Sequence, residues 1–194
     1  MRKLLIATTN NGKVKEVISA LDGVDFEIVS LKDFPNLPSV EETGTTFKEN
    51  AIIKAKAYCE YTSLLTLADD SGLEVDFLDG APGVYSSRFA ENDIERNKKL
   101  LDMLENVKDE DRTARFKCVI ALAEKNGSIH TCDGIVEGVI LREMKGTNGF
   151  GYDPVFYIPS AGKTMAELTY QEKNNISHRG KAIKKAIKIL KNIK

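Results

Sequence analysis

The stretch Leu64-Leu65-Thr66-Leu67-Ala68-Asp69-Asp70-Ser71-Gly72 decides the fold of this chain. Its apolar first part is typical of a strand buried inside a sheet. Two adjacent carboxylates and a Ser-Gly pair follow at once, so we expect the strand to span 64–68 and to end in a turn. Ligands bind at such strand ends in parallel and mixed sheets, because the connecting loops and helix N-termini open a crevice there.

Asp69 and Asp70 are the candidate reactive groups of this stretch. Neighbouring side chains of a strand point to opposite faces of the sheet, so only one of the two carboxylates can easily face a given ligand. The same residues also fit a plain turn, in which Asp70 serves only as an Asx-turn or helix N-cap residue. The rest of the chain has to decide between these interpretations.

The composition is that of an ordinary globular protein. The 194 residues, 42% of them hydrophobic and 29% charged, suit one domain or one domain of two lobes. The net charge of -1 gives no overall attraction to nucleic acid or to an anionic membrane. No apolar run approaches a membrane span or a signal-peptide core. Three widely spaced cysteines without a CxxC pattern indicate neither disulfides nor zinc and favour a reducing cytoplasm: Cys59, Cys118 and Cys132.

A polar loop, Thr8-Thr9-Asn10-Asn11-Gly12-Lys13, follows a first predicted strand at 3–7. Apolar residues at helical spacing come next, and Asp22-Gly23 is a stop signal. The loop is therefore placed at a helix N-terminus, where unpaired N–H groups and the helix dipole favour an anion. It is not a Walker A loop, since Ala7 and Val14 stand where that motif needs glycine and serine or threonine. A plain capped helix start is the alternative.

A second helix is expected after Glu41 and Glu42, with Thr45 or Thr46 as its cap. Its apolar stripe begins at Phe47, and its lysines, Lys54 among them, are expected on the opposite, polar face. Acids in front of a helix usually only complement its dipole, and that is the alternative to a ligand role for the two glutamates.

The second half of the chain indicates antiparallel strands. An Asn-Gly turn at 125–128 joins a strand in 112–124 to return strands at 129–136 and 138–142, and another strand is expected at 155–158. The run Gly149-Phe150-Gly151-Tyr152-Asp153 lets the backbone approach a ligand and lets the ring lie flat, although a wide turn with a core Phe also fits. An apolar stripe from 182 onward predicts a last helix with a solvated lysine face that includes Lys194.

Taken together, these motifs resemble the Ham1-like inosine triphosphate pyrophosphatases. The motifs are, in order, 8–13, 41–44 with 49–51, 68–72, 80–86, 149–154, and 172–173 with 177–179. The resemblance covers residues 3 to about 190. It implies an α/β fold in which a long, mixed, twisted sheet is flanked by helices and forms two lobes around a central active-site cleft. The first loop and Asp70 would line one wall, and Phe150, Lys173 and Arg179 the other.

The resemblance also implies residue roles. It places the catalytic residue at Asp70, a Mg²⁺ site at Glu42 and Asp70, and a supporting role at Asp69. Thr9 and Asn11 differ from many relatives, at positions that vary. The implied substrate contacts are Thr8, Thr9, Asn10, Asn11, Gly12, Lys13, Lys54, Ser71, Phe150, Gly151, Tyr152, Asp153, Lys173, His178 and Arg179.

The activity that the resemblance implies is hydrolysis of non-standard purine nucleoside triphosphates (ITP, dITP and XTP) to the monophosphate and pyrophosphate, by a cytoplasmic homodimer that cleanses the nucleotide pool. Cleavage between the α and β phosphates requires charge neutralisation and an activated water, which lysines, backbone amides, Mg²⁺ and a carboxylate can provide. Phe150 can stack on any purine. Arg179 or Lys173 could donate to O6 and N7 of a 6-keto purine, whereas adenine would leave the cation unpaired.

Two other interpretations stay open. A Maf-like nucleotide pyrophosphatase would share the general fold and reaction but prefer other bases. A non-enzymatic nucleic-acid binder would use the basic last helix and Phe150, and the near-neutral net charge argues against it.

Overall fold

A computed structural model describes residues 1–21 and 23–193 of the chain. Asp22, part of the predicted stop of the first helix, and Lys194, on the predicted lysine face, lie outside the described residues. The strands are β1 (Lys3–Ile6), β2 (Glu27–Ser30), β3 (Leu65–Val75), β4 (Thr113–Ala123), β5 (Ile129–Ile140), β6 (Phe156–Ile158) and β7 (Lys163–Thr164). The α-helices are α1 (Asn11–Ala20), α2 (Phe47–Thr62), α3 (Asp93–Met103), α4 (Tyr170–Ile176) and α5 (His178–Leu190).

The strands form one mixed sheet in the order β2-β1-β3-β4-β5-β6-β7. β1 runs parallel to β2 and to β3, whereas β6 runs antiparallel to β5 and to β7. Parallel neighbours need long crossover connections, and α1 and α2 lie in the two connections that link β1, β2 and β3. The predicted mixed sheet flanked by helices is confirmed.

The chain divides into two compact units. Unit 1 comprises Met1–Asp70, Cys118–Gly134 and Arg179–Lys194, and unit 2 comprises Ser71–Lys117 and Ile135–His178. Strands β3, β4 and β5 therefore contribute residues to both units. The division also falls between the first two residues of α5.

Unit 1 buries an apolar cluster on each face of its strands. Leu4 and Ile6 of β1 belong to the cluster that contains residues of α1 and α5, whereas Leu5 and Ala7 belong to the cluster that contains residues of α2. Successive residues of a strand alternate between faces, so an uninterrupted apolar run is what a strand covered on both sides requires. The helices of unit 1 thus have fixed sides: α1 and α5 pack on one face, and α2 packs on the other.

Unit 2 has a core of its own, built around a pair of aromatic rings. Phe116 and Phe156 pack with ring centroids 4.6 Å apart. Leu100 and Leu104, at and just after the last turn of α3, are fully buried in the same cluster. This helix is therefore anchored by its apolar side, which fixes where its first turn lies within unit 2.

The deciding strand is longer than the sequence predicts. β3 continues to Val75, so Asp69 and Asp70 lie inside the strand, and the expected end at residue 68 and the Ser-Gly turn are wrong. The parallel pairing with β1, however, stops at the Ile6–Leu67 pair. The carboxylates therefore follow directly after the parallel part of the strand. Carboxylates are tolerated inside a strand only when nearby groups compensate their charge, as described below.

Other differences concern single elements. β5 is one strand where two return strands were expected, and α5 begins at His178 rather than near 182. On α1, Glu16 is buried and Ile18 is 45% exposed, although Ile18 is one of the apolar residues at helical spacing that predicted this helix. On α2, Lys54 is only 9% exposed and lies on the buried side, not on the polar face. Within the described part of the chain, no helix has the length and apolar character that a membrane crossing needs.

The different burial of two neighbouring residues on α1, Val17 and Ile18, can be tested by mutation. Val17 is fully buried, so Val17→Ala should lower the free energy of unfolding by about 2 kcal/mol through lost apolar burial and an unfilled cavity. Ile18→Ala, at an exposed position of the same helix, should change it by less than about 0.5 kcal/mol. Urea denaturation of both variants measures the difference. Equal losses would contradict the burial pattern of α1.

Candidate active site

Asp69 and Asp70 are 2% and 5% exposed and lie on opposite sides of β3. Asp69 has partners on α1 and α5, and Asp70 has partners on α2. The two neighbouring carboxylates therefore enter separate polar networks, as the geometry of a strand requires. Both networks lie in unit 1.

Asp69 is surrounded by cations. Its Oδ2 lies 3.1 Å from Lys13 Nζ and 3.3 Å from Arg179 Nε. The guanidinium of Arg179 also donates through Nη1 to Glu16 Oε2. Arg179 thus bridges a carboxylate of α1 and a carboxylate of β3, and all three side chains are at least nine-tenths buried.

The charge balance around Asp69 favours its ionised form. Burial by itself would raise the pKa of Asp69, but Lys13, Arg179 and Lys54 outweigh it and hold the pKa well below the ordinary value. Burial by itself would lower the pKa of Arg179, but Glu16 and Asp69 outweigh it and raise the pKa above its usual range. These contacts therefore favour an ionised Asp69 carboxylate, which pairs with two cations.

Asp70 shares one lysine with Glu42. Lys54 Nζ lies 2.5 Å from Glu42 Oε1 and 3.5 Å from Asp70 Oδ1, so two carboxylates converge on a single cation. Asn50 Nδ2 donates to Asp70 Oδ2 at 3.3 Å, and Asn50 Oδ1 accepts from the N–H of Gly44 at 2.8 Å. Asn50 thus connects the segment that carries Glu42 to the carboxylate on β3.

The start of α2 positions this network. Thr46 and Glu49 form a capping box, which fixes the first turn of the helix. Asn50 and Lys54 are four residues apart and therefore lie on the same side of the helix. A Cβ at Gly44 would lie 2.6 Å from Glu49 Cβ and 2.7 Å from Asn50 Oδ1, closer than real Cβ contacts. Only glycine fits here without displacing Glu49 of the capping box and Asn50, which reaches Asp70.

The pKa of Asp70 shifts in the opposite direction from that of Asp69. Burial raises the pKa of Asp70 above its ordinary value, and Glu42 and Asp69 raise it further, while Lys54 and Lys13 offset part of the rise. A carboxyl group with a raised pKa beside cations is a better proton acceptor than an ordinary aspartate. Asp69 and Asp70, although adjacent, therefore have different chemistry.

The polar loop leads into α1, as predicted. Asn10 caps the helix by accepting from the N–H of Lys13 at 3.1 Å, and Thr8 Oγ1 accepts from the N–H of Asn10 at 3.2 Å. Thr9 is exposed, and Asn11, Gly12 and Lys13 form the first turn. First-turn N–H groups lack carbonyl partners within the helix, so this end of α1 suits an anion.

In unit 2, residues 149–153 form a glycine-rich segment held by Asp153. Asp153 Oδ2 accepts from the N–H of Phe150 at 2.8 Å and from Lys173 Nζ at 2.5 Å. The ammonium of Lys173 also lies 4.9 Å from the centroid of the Phe150 ring. Gly149 has φ +79°, and a Cβ there would lie 2.0 Å from Asp153 Oδ2, so the tight turn requires glycine.

The remaining predicted contacts in unit 2 are largely buried. The hydroxyl of Tyr152 donates to Ser86 O at 2.9 Å. The ring of His178 stacks on Phe116 with centroids 4.7 Å apart. Ser71 is half-buried in β3. Contacts of these three residues with a substrate remain predictions.

Arg179 contacts two carboxylates of unit 1, Asp69 and Glu16. It lies in the first turn of α5, which packs on the same face of the strands as α1. Its predicted place on one wall with Phe150 and Lys173, and its contact with a substrate, stay predictions.

Two members of these networks were not predicted as site residues. Asn50 lies in a motif that was noted, but its link between Gly44 and Asp70 depends on tertiary contacts. Nothing in the sequence indicates that Glu16 is a site residue, because the pattern of this amphipathic helix predicts an exposed position for it. Its burial is explained by the guanidinium of Arg179, which is distant in the sequence.

The model of the Ham1 family matches residues 4–189 of this chain. The chain belongs to the Ham1 family. It is 59% identical to a dITP/XTP pyrophosphatase of Desulforamulus reducens over 97% of this chain and 95% of that protein, and 52% identical to a dITP/XTP pyrophosphatase of Geobacter sulfurreducens over 94% of each. Among solved structures, a HAM1 protein from Coxiella burnetii aligns over the full length of both chains with a TM-score of 0.90 and 46% identity.

In this Ham1 family protein, the predicted metal ligands are a pair. Across residues 1–21 and 23–193, no group of three or more His, Cys, Asp or Glu side chains is arranged to hold a metal ion. Glu42 and Asp70 converge on Lys54 as a two-carboxylate set. Such a set matches the needs of Mg²⁺, which takes one or two protein carboxylates and completes its octahedron with water and phosphate oxygens.

The opposite shifts at Asp69 and Asp70 predict opposite effects of the same substitution. Asp69→Asn should lower the free energy of unfolding by about 3–5 kcal/mol, because it leaves buried cations uncompensated. Asp70→Asn should leave the stability unchanged or raise it, because burial disfavours the native carboxylate. Denaturation midpoints at pH 7 measure both, and a larger loss for Asp70→Asn would contradict the charge assignment.

The pH dependence of these variants follows from the same shifts. The pKa of Asp69 is lower in the folded state, so its stabilisation is present above the unfolded pKa of about 3.9 and is lost as the pH falls through the folded pKa. The stability gap between wild type and Asp69→Asn should therefore narrow below about pH 4. The pKa of Asp70 is raised, so any advantage of Asp70→Asn should disappear as the pH falls through that raised value.

Proposed function

We propose that this protein hydrolyses ITP, dITP and XTP to the nucleoside monophosphate and pyrophosphate. The proposal is carried by one observation, the buried Asp70 carboxyl with a raised pKa beside Glu42 and Lys54. The dITP/XTP pyrophosphatases that are 49–59% identical over nearly the whole chain support the same activity. Its role would be to remove non-standard purine nucleotides from the nucleotide pool.

Unit 1 supplies the groups for the triphosphate. The N-terminus of α1, with residues 8–13, offers backbone N–H groups and the helix dipole. Lys54 is buried and Lys13 is half-buried, and carboxylates fix the positions of both, so they are pre-organised to meet phosphate oxygens. A bound triphosphate would share these cations with Asp69, Glu42 and Asp70. Arg179, already paired with two carboxylates, would act by fixing Asp69.

Glu42 and Asp70 would hold Mg²⁺. Their carboxylates already converge on one cationic centre, the ammonium of Lys54. When bound, the metal supplies charge neutralisation at the phosphate oxygens and at the pyrophosphate leaving group. Lys54 would then be released from its carboxylate partners toward the phosphates.

Asp70 would act as the general base. It would receive the proton of the attacking water on a carboxylate oxygen. Asn50 fixes the orientation of the carboxylate through its 3.3 Å hydrogen bond to Oδ2. Asp69 stays ionised and holds Lys13 and Arg179 beside the reacting group.

Unit 2 supplies the groups for the base. Phe150 offers a ring face for stacking, and Lys173, fixed by Asp153, is the cation that accompanies it. We assign a donor to O6 or N7 of a 6-keto purine to Lys173, whose ammonium lies 4.9 Å from the centroid of the Phe150 ring, and Arg179 stays the second predicted donor. Adenine would place an amino donor against that ammonium, which discriminates against ATP.

The proposed setting is a homodimer in the cytoplasm acting on small nucleotides, with neither nucleic acid nor membrane as a partner. These assignments come from the resemblance to the family and from the near-neutral net charge.

The direct test is an assay of the purified protein with ITP and Mg²⁺. We expect IMP and pyrophosphate, no turnover in excess chelator, and recovery on adding Mg²⁺. A series with ITP, XTP, dUTP and dTTP should favour the two purines, whereas a Maf-like preference would reverse the order. IDP and phosphate as products would contradict the proposed cleavage site, and full turnover in chelator would contradict the metal site.

Asp70→Asn tests the general base in the same assay. The variant keeps the shape of the side chain but loses its charge and its ability to take a proton, so turnover should fall by at least about 100-fold. Its melting temperature should not fall, as argued above. If Asp70 had only a structural role within β3, activity would survive and the stability would fall.

A further inference from the structure

Two side chains of α3 hold both peptide groups of Gly151. The N–H of Gly151 donates to Asp93 Oδ2 at 2.7 Å, and Asn97 Nδ2 donates to Gly151 O at 2.7 Å. Gly151 has φ +62°, a left-handed conformation. The centre of the glycine-rich segment is therefore fixed by one helix, in a conformation that most residues would resist.

The two α3 side chains are themselves held in place. Asp93 Oδ1 accepts from Arg96 Nη1 at 2.5 Å, and Arg96 Nε donates to Ala90 O at 3.2 Å. Asn97 Nδ2 also donates to the carbonyl of Asp93 at 2.7 Å. Both groups that reach Gly151 are thus oriented within α3, and the helix is anchored in the core of unit 2.

Burying the side-chain amide of Asn97 costs the folded state free energy. It is only 1% exposed, and its Oδ1 has no hydrogen-bond partner among the described residues. A buried amide that is only half satisfied is less favourable there than an apolar side chain of similar size. The contribution specific to Asn97 is the pair of bonds made by Nδ2, and one of them goes to Gly151. This pattern indicates a positioning role rather than a space-filling one.

Gly151 lies between the groups proposed to meet the base. Phe150 precedes it, and Asp153, which accepts from Lys173, follows two residues later. A shift of Gly151 therefore moves the stacking ring and the carboxylate that orients the lysine. We propose that Asp93 and Asn97 are positioning residues that set how tightly and how selectively unit 2 binds the purine base. This inference rests on the proposed function.

The test compares Asp93→Ala with Glu95→Ala. Both remove an acid from the first turn of α3, but the side chain of Glu95 is exposed, whereas Asp93 is the acid that accepts from the N–H of Gly151. Loss of the acceptor should raise KM for ITP about 3- to 10-fold, the scale of one hydrogen bond, by more than any fall in kcat. The preference for ITP over ATP should shrink, and the Gly151 amide should lose protection against hydrogen exchange. Glu95→Ala should behave as wild type.

Inorganic triphosphate provides a readout that general damage would change. It carries no base, so its inhibition constant against Asp93→Ala should equal that against wild type. Asn97→Leu is the second variant, in case Asp93→Ala folds poorly, and it should raise KM in the same direction. The double variant should fall short of the product of the two single effects, because both side chains act on Gly151.

The possible outcomes are distinct. If Asp93→Ala and Asn97→Leu match Glu95→Ala in KM for ITP and in the preference for ITP over ATP, the positioning role of Asp93 and Asn97 is overturned. The proposed function is then left intact. Weaker inhibition by inorganic triphosphate in parallel with the rise in KM overturns it as well, since that marks damage beyond base binding. A wild-type protein that does not hydrolyse ITP with Mg²⁺ overturns both the proposed function and the inference.

Discussion

The burial of Asp69 and Asp70 side by side in β3 has to be balanced by positive charge, and unit 1 is organised around that balance. Asp69 draws Lys13 and Arg179 to one side of the strand, and Asp70 draws Lys54 to the other. The helices that carry these cations are the ones whose apolar sides cover the two faces of the strands. Packing and charge compensation thus specify the same arrangement.

The same balance separates the chemistry of two identical side chains. Asp69 has more cationic than anionic neighbours and stays ionised, whereas Asp70 is buried and shares its lysine with Glu42, so its pKa rises. A fixed anion and a group able to take a proton therefore lie next to each other. Alternation along a strand supplies this separation, since it sends neighbouring residues to different surroundings.

Glycines and an asparagine bring backbone segments to these side chains. Gly44 allows the segment carrying Glu42 to approach α2, and Gly149 allows the turn that Asp153 closes. Asn50 uses both ends of its amide, one on Gly44 and one on Asp70. Asn97 uses only its donor end, on Asp93 and Gly151. Each contact fixes a loop from a helix, which keeps flexible segments in a defined geometry.

The sequence by itself determined the local elements and the motifs. Apolar runs and caps predicted β1, α1 and α2, because strand alternation and helix capping depend on near neighbours, and the family resemblance implied the mixed sheet. Only the tertiary structure decided the length of β3, the burial of Lys54, and the pairing of Glu16 with Arg179. These features depend on compensation between charges far apart in the chain. Short-range sequence patterns carry no signal for that pairing. They therefore predict an exposed position for a charged side chain that the folded protein buries in an ion pair.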